Sequence, residues 1–278
     1  MQDIRLVGLD LDGTVFDDQK NISPRTLAAI AAAIRQGVTV VPATGRPVAG
    51  VPEAFLHMPG VRYALTSNGA TVTELATGNR LVELTFDAAT ARAVFAYLKE
   101  FDSILDLFID GKSYTTAASA ARLADFAPPE ILPYLRKSRN IVEDMDALIR
   151  RHPHGVEKFS ILYGDQATRA AVWQGVTARF AVEATSSFPN NIELNAPGVD
   201  KGRGLLALAG VLGLDRSQVM ACGDSGNDVR MLAAAGLGVA MANATPDAMA
   251  AADVVTLDNN HDGVAAALER YVLGHTEP

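Results

Sequence analysis

The chain has 278 residues, of which 49% are hydrophobic and 20% charged, and a formal net charge of −8. That length can bury one large core or two smaller ones, and the composition is that of an ordinary soluble globular protein. The negative balance argues against non-specific binding to nucleic acid or to an anionic membrane, and the single cysteine, Cys222, excludes an intrachain disulfide or a multi-cysteine metal site.

The chain opens with R-L-V-G-L-D-L-D-G-T-V-F-D over Arg5 to Asp17. Leu6, Val7 and Leu9 predict a short buried strand that runs directly into Asp10, Asp12 and Gly13. Residues two apart share a side of a strand, so both carboxylates can aim at one point past its end. Like charges so placed repel unless a cation, a proton or a substrate intervenes. Taken alone, Asp-x-Asp-Gly reads equally well as a turn.

Ser23-Pro24, the apolar spacing of Leu27, Ile30 and Ile34, and Gly37 mark a capped helix. Val38 to Val41 predicts a second strand, and strand–helix–strand opens a parallel α/β sheet. It ends in Thr44, Gly45 and Arg46, which offer a hydroxyl, an accessible amide and a charge where such sheets bind ligands. Tyr63 to Thr66 predicts a third strand, ending in Ser67-Asn68-Gly69.

The pattern changes over 84–189. A helix carrying Val94, Tyr97 and Leu98 precedes two strand-like runs joined by Asp110-Gly111, a hairpin signal. A proline-rich stretch, 127–133, reads as irregular. A strand over 158–163, a helix over 166–176 and a strand over 180–184 follow. Hairpins and helices set inside a parallel frame predict an inserted α+β domain. The chain returns with a strand at 191–195, placed at the domain junction, and with Lys201 before a helix carrying Leu205, Leu208 and Leu212. Val219 to Cys222 predicts a strand ending in G-D224-S-G-N227-D228, and alternating strands and helices continue to 272. The expected architecture is α/β: a Rossmann-like parallel-sheet core, 1–83 and 190–278, with an inserted α+β cap domain, 84–189. The N-terminal M-Q-D-I-R-L-V lacks signal-peptide architecture. No apolar run approaches the roughly 18–20 residues needed to cross a bilayer, so a cytoplasmic protein with no membrane partner is expected, monomer or dimer.

A parallel sheet brings the C-terminal ends of its strands to one edge, so Asp10, Asp12, Thr44, Asn68, Asp224 and Asp228 can share a site. Four carboxylates with no His or Cys cluster point to a hard cation, most simply Mg²⁺. Lys201 is the basic side chain with an obvious position nearby, although a lone lysine is more often solvated. The inventory suits phosphoryl transfer: cation and lysine neutralise the moving group, one carboxylate attacks phosphorus and another moves the proton.

Read in order, D10-L-D12-G-T, A-T44-G-R46, S-N68-G-A, V-D-K201-G and G-D224-S-G-N227-D228 resemble the motifs of the Cof-like branch of the haloacid dehalogenase-like phosphohydrolases. The resemblance implies a Mg²⁺-dependent phosphatase of small phosphorylated metabolites, sugar phosphates first, working through an aspartyl phosphate. Asp10 would be the nucleophile and Asp12 the general acid/base. The metal would be held by Asp10, the Asp12 carbonyl and Asp224, with Asp228 supporting it directly or through water. Thr44, Gly45, Lys201 and Asn227 would grip the phosphate, and Arg46 and Asn68 would meet substrate. Lys158 falls where this branch often has lysine and is expected to be structural or rim-facing. Three rivals stand beside this. Gly202, Gly204 and Ala207 match a dinucleotide fingerprint, but its first glycine should directly follow a strand. A metal-binding module without turnover would use the same fold. A mutase would pass the phosphoryl group to a sugar hydroxyl.

Overall fold

The computed structural model describes residues 3–129, 131–152 and 155–274. Met1 and Gln2 of the N-terminal stretch, Glu130 of the proline-rich one and 275–278 of the expected core span lie outside the described residues. The strands, in chain order, are β1 Leu6–Leu9, β2 Thr39–Pro42, β3 Tyr63–Thr66, β4 Thr71–Glu74, β5 Arg80–Glu83, β6 Ile104–Ile109, β7 Lys112–Thr116, β8 Arg139–Val142, β9 Lys158–Leu162, β10 Glu183–Thr185, β11 Asn191–Asn195, β12 Val219–Gly223, β13 Leu237–Ala240 and β14 Val254–Val255. The chain divides into two compact units, Met1–Gly45 with Val51–Glu83 and Asp200–Pro278, and Arg46–Gly50 with Leu84–Val199.

In the first unit β14-β13-β12-β1-β2 form an all-parallel sheet. Alternation along β1 sends Val7 and Leu9 into one apolar cluster and Leu6 into the other. The first cluster takes the buried Ala29, Ile30 and Ala33 of the Pro24–Arg35 helix. That helix starts where its cap residues place it, with Ser23 Oγ accepting from the Thr26 amide at 3.0 Å. The opposite face takes Leu205 and Leu208 of the Lys201–Val211 helix. A Cβ on Gly8 would meet Leu205 Cδ2 at 2.8 Å, so the central strand's glycine sets how closely this helix lies.

The strand β3 departs from expectation. It pairs antiparallel with β4 in a separate β3-β4-β5 sheet and touches β2's extension through a single parallel bridge, Ala43 to Leu65. The cause is local: Ser67, Asn68 and Gly69 all adopt positive φ and turn the chain straight back.

The second unit is a six-stranded sheet, β10-β11-β9-β6-β7-β8, antiparallel except for β7 with β8. Asp110 and Gly111, at φ 49° and 71°, make the tight turn between β6 and β7. The junction expected after 189 falls after Val199, because β11 pairs with both β9 and β10 and so completes this sheet. Nothing local to N-I-E-L-N reveals which strands it will join. The segment Arg46–Gly50 also groups here, the Ala49 amide donating to the Gly111 carbonyl at 3.0 Å. The proline-rich stretch is not wholly irregular: Pro133 sits in the first turn of the Leu132–Ser138 helix, where a missing N–H is no loss. The strand expected over 180–184 begins only at Glu183. Among the described residues no helix is long and apolar enough to cross a membrane.

Candidate active site

The register pairs Leu9 with both Pro42 and Cys222, so β1, β2 and β12 end level with one another. The Asp10 amide donates to the Cys222 carbonyl at 3.0 Å, and the Ala43 amide to the Leu9 carbonyl at 2.7 Å. Asp10, Thr44 and Asp224 therefore leave the sheet along one edge, at the C-terminal ends where an α/β fold places its ligands.

Lys201 joins them from the first turn of its helix. Its ammonium donates to Asp10 Oδ1 at 2.6 Å and to Asp228 Oδ1 at 2.7 Å, and it is fully buried. The second oxygen of Asp228 accepts the Asp224 and Ser225 amides, each at 3.0 Å, and so fixes the G-D-S-G-N-D loop. Asp224 Oδ1 accepts from the Thr14 hydroxyl at 2.8 Å. A Cβ at Gly13, where φ is +83°, would stand 2.4 Å from Asp224 Oδ2, so only glycine lets the loop after β1 pass this carboxylate. Asp10, Asp224 and Asp228 each offer an oxygen within 4.8 Å of the others.

Burial raises Asp10 well above the usual carboxylate range, and the Asp228 charge adds to this, while Lys201 opposes it. Asp224 is pushed up to about 7, by burial first and Asp228 next, against the Thr14 hydrogen bond and Lys201. Burial works against the charge of Lys201, but Asp10 and Asp228 outweigh it and hold the ammonium protonated. If all three carboxylates ionise, one ammonium leaves two negative charges uncompensated, the charge of one divalent cation. An all-oxygen donor set with that deficit fits a hard cation.

Asp12 stands apart from this cluster. β1 ends at Leu9, so strand alternation does not carry through to Asp12, and fully buried Leu11 lies between the two carboxylates. Asp12 Oδ1 accepts from Lys20 at 3.0 Å, with its side chain 41% exposed. The expected common aim of Asp10 and Asp12 is thus corrected: they take different cations, although Asp12 is near enough to push Asp224 upward.

Thr44 and Asn68 are buried side by side, the Asn68 amide donating to the Thr44 carbonyl at 3.1 Å. Asn227 Nδ2 donates to Asn68 Oδ1 at 3.2 Å, which ties the third and fifth motifs together. Gly45, partly exposed, is the last residue of its segment of the first unit. Arg46 belongs to the second unit, where its guanidinium lies 4.1 Å from the Tyr134 ring centroid and donates to the Gly50 carbonyl at 3.1 Å. Lys158 is 2% exposed and pairs with Glu193 at 3.1 Å, a structural place rather than a rim-facing one. Gly202 and Gly204 lie inside a helix, and a Cβ there would strike the Arg230 carbonyl at 2.5 Å or Leu65 at 3.0 Å. Packing explains these glycines, and the preceding strand β11 ends at Asn195, too far upstream to make a dinucleotide turn.

Sequence reasoning passed over Thr14, Lys20 and Asn243. Thr14 was visible as the last letter of D-L-D-G-T. Lys20 carried no signal, since it reaches Asp12 only through a loop in which its own φ is 63°.

A family model described as haloacid dehalogenase-like hydrolase matches residues 7–268. Among curated proteins, the chain is 31% identical over 271 residues to the 5-amino-6-(5-phospho-D-ribitylamino)uracil phosphatase YcsE of Bacillus subtilis, covering 98% of this chain and 97% of that one. Among solved structures, a haloacid dehalogenase-like hydrolase from B. subtilis superposes with a TM-score of 0.86 at 26% identity, over 96% of this chain and 100% of its own. Another, from Bacteroides thetaiotaomicron, gives 0.80 at 28% identity, over 96% and 99%.

Proposed function

The chain belongs to the haloacid dehalogenase-like hydrolases, and from that membership we propose that it is a Mg²⁺-dependent phosphatase of small phosphorylated metabolites, sugar phosphates first, acting through an aspartyl phosphate on Asp10. The observation that carries this is the buried constellation of Asp10, Asp224 and Asp228 with Lys201 between two of them. The uncompensated charge and the oxygen-only donors fit a divalent cation held by Asp10, the Asp12 carbonyl and Asp224. Both oxygens of Asp228 are already engaged, so Asp228 supports the site by holding Lys201 and the loop. The cation, when bound, would neutralise the oxygens of the transferring phosphoryl group.

Asp10 attacks phosphorus as the ester P–O bond breaks, and Asp12 gives its proton to the departing oxygen. Asp12, now ionised, takes a proton from water, which cleaves the acyl phosphate and releases orthophosphate. Lys201, the Thr44 hydroxyl, the Gly45 amide and Asn227 hold the phosphate, while Asn68 and Arg46 meet the rest of the substrate. The second unit serves as a cap that selects substrate. A relative named for a phosphoribitylamino-uracil substrate supports the class of small phosphorylated metabolites.

Acid-quench trapping with mass spectrometry tests the assignment. The expected result is a phosphoryl adduct on Asp10 that Asp10→Asn abolishes together with turnover. An adduct at any other residue overturns it.

A further inference from the structure

The loop after β1 is fastened to two later loops by side chains that the mechanism above does not use. Asn243, in the loop after β13, donates from Nδ2 to the Gly13 carbonyl at 2.8 Å, and its Oδ1 accepts the Asn259 amide at 3.0 Å. Asn259 Nδ2 in turn donates to the Phe16 carbonyl at 3.0 Å and to Asp18 Oδ1 at 3.1 Å. Asn260 closes the brace, with Nδ2 on Asp18 Oδ2 at 3.0 Å and Oδ1 accepting the Asp18 amide at 3.1 Å. These bonds grip residues 13, 16 and 18, on the C-terminal side of Asp12. On its N-terminal side Asp12 follows the sheet, through Asp10 and buried Leu11.

We infer that Asn243 and Asn259 are positioning residues for Asp12. Resting on the assignment of Asp12 as proton donor, this means that the brace sets where the Asp12 carboxyl stands relative to the departing oxygen. Two features favour this over a purely structural role. The bonds go to backbone carbonyls one and four residues beyond Asp12, within the turn that carries it. Asp12 itself lies outside the grouping of Asp10, Asp224 and Asp228 and pairs with Lys20 instead. A misplacement of about 1 Å in a reacting group can cost on the order of 10²-fold in rate.

Leaving-group dependence tests the inference, because a good leaving group departs without a proton. Asn243→Ala and Asn259→Ala are compared with wild type, with Mg²⁺, on para-nitrophenyl phosphate and on the sugar phosphate that wild type turns over fastest. The expected result is a fall in kcat/KM, which reports formation of the aspartyl phosphate and not the hydrolysis step common to both esters, of about 10- to 100-fold on the sugar phosphate and under about 3-fold on the aryl ester. Asn259→Ser, which keeps a donor, should recover part of the loss and serves if an alanine variant does not fold. Equal losses on both esters, or none, overturn the inference. Hydrogen exchange gives a readout independent of turnover: amides of residues 12–18 should exchange faster in the variants, with β1 unchanged. Unchanged protection there overturns the brace itself. Faster exchange in a protein whose wild type turns over neither ester instead overturns the phosphatase assignment, and the catalytic role of the brace with it.

Discussion

Lys201 is a fully buried ammonium shared by two buried carboxylates. Replacing it with methionine leaves Asp10 and Asp228 buried without their shared cation, and loss of one partner from a buried pair costs about 3–5 kcal/mol. Chemical denaturation of Lys201→Met in chelator should show a loss of that size, partly recovered by Mg²⁺. A second outcome concerns pH. Asp224 rises from its ordinary 3.8 to about 7, so between those values the folded protein holds a proton that the unfolded chain releases. Stability from this group is then present at low pH and lost as pH rises through that window. In metal-free buffer, Asp224→Asn should flatten the decline of Tm over that window relative to wild type, and Mg²⁺ should flatten it in wild type too. At this scale the motif residues were legible in the sequence, because acidic residues after apolar runs stand out. Their pairing was not: the Lys201 bonds to Asp10 and Asp228, and the Thr14 bond to Asp224, depend on contacts between distant parts of the chain.

Elements were legible where their signals are local. Ser23-Pro24 and Gly37 bracket the first helix, and Asp110-Gly111 marks its hairpin. β3 misled because its alternation suits either sheet and only the following turn decides. That turn also offers a test. A Cβ on Gly69, at φ +94°, would lie 2.3 Å from the Asp200 carbonyl at the start of the lysine helix. Gly78 has a similar φ, +75°, with nothing within 4 Å. Gly78→Ala should therefore cost only the backbone term, about 1 kcal/mol, and Gly69→Ala clearly more. Thermal unfolding of the pair separates conformational strain from collision. Gly69→Ala should also slow turnover, since Asn68 and Lys201 flank the contact.

Across the whole molecule, the expectation of two domains came from a change in patterning. Its boundary slipped because β11 has no local mark of its partners, and Arg46–Gly50 none of its own. If the second unit selects substrate while the first performs the chemistry, exchanging 84–199 for the equivalent segment of a relative should change the order of preference across a panel of phosphorylated metabolites. Sensitivity to chelator should not change, because every proposed cation ligand lies in the first unit. A preference unmoved by the exchange would remove the selecting role.

The pairing of β1 with β12 bears on biosynthesis. Leu6 emerges from the ribosome early, yet its neighbour Val219 follows only after the whole of 84–199 has been made. That contiguous segment holds all six strands of its sheet and lacks only Arg46–Gly50 of its unit, so it is free to fold while β1 and β2 wait. Until β12 arrives, Asp10 lacks Asp224 and Asp228. Premature termination anywhere before that strand should yield a product with no partial activity, and the waiting edge of β1 is the surface a chaperone would have to shield.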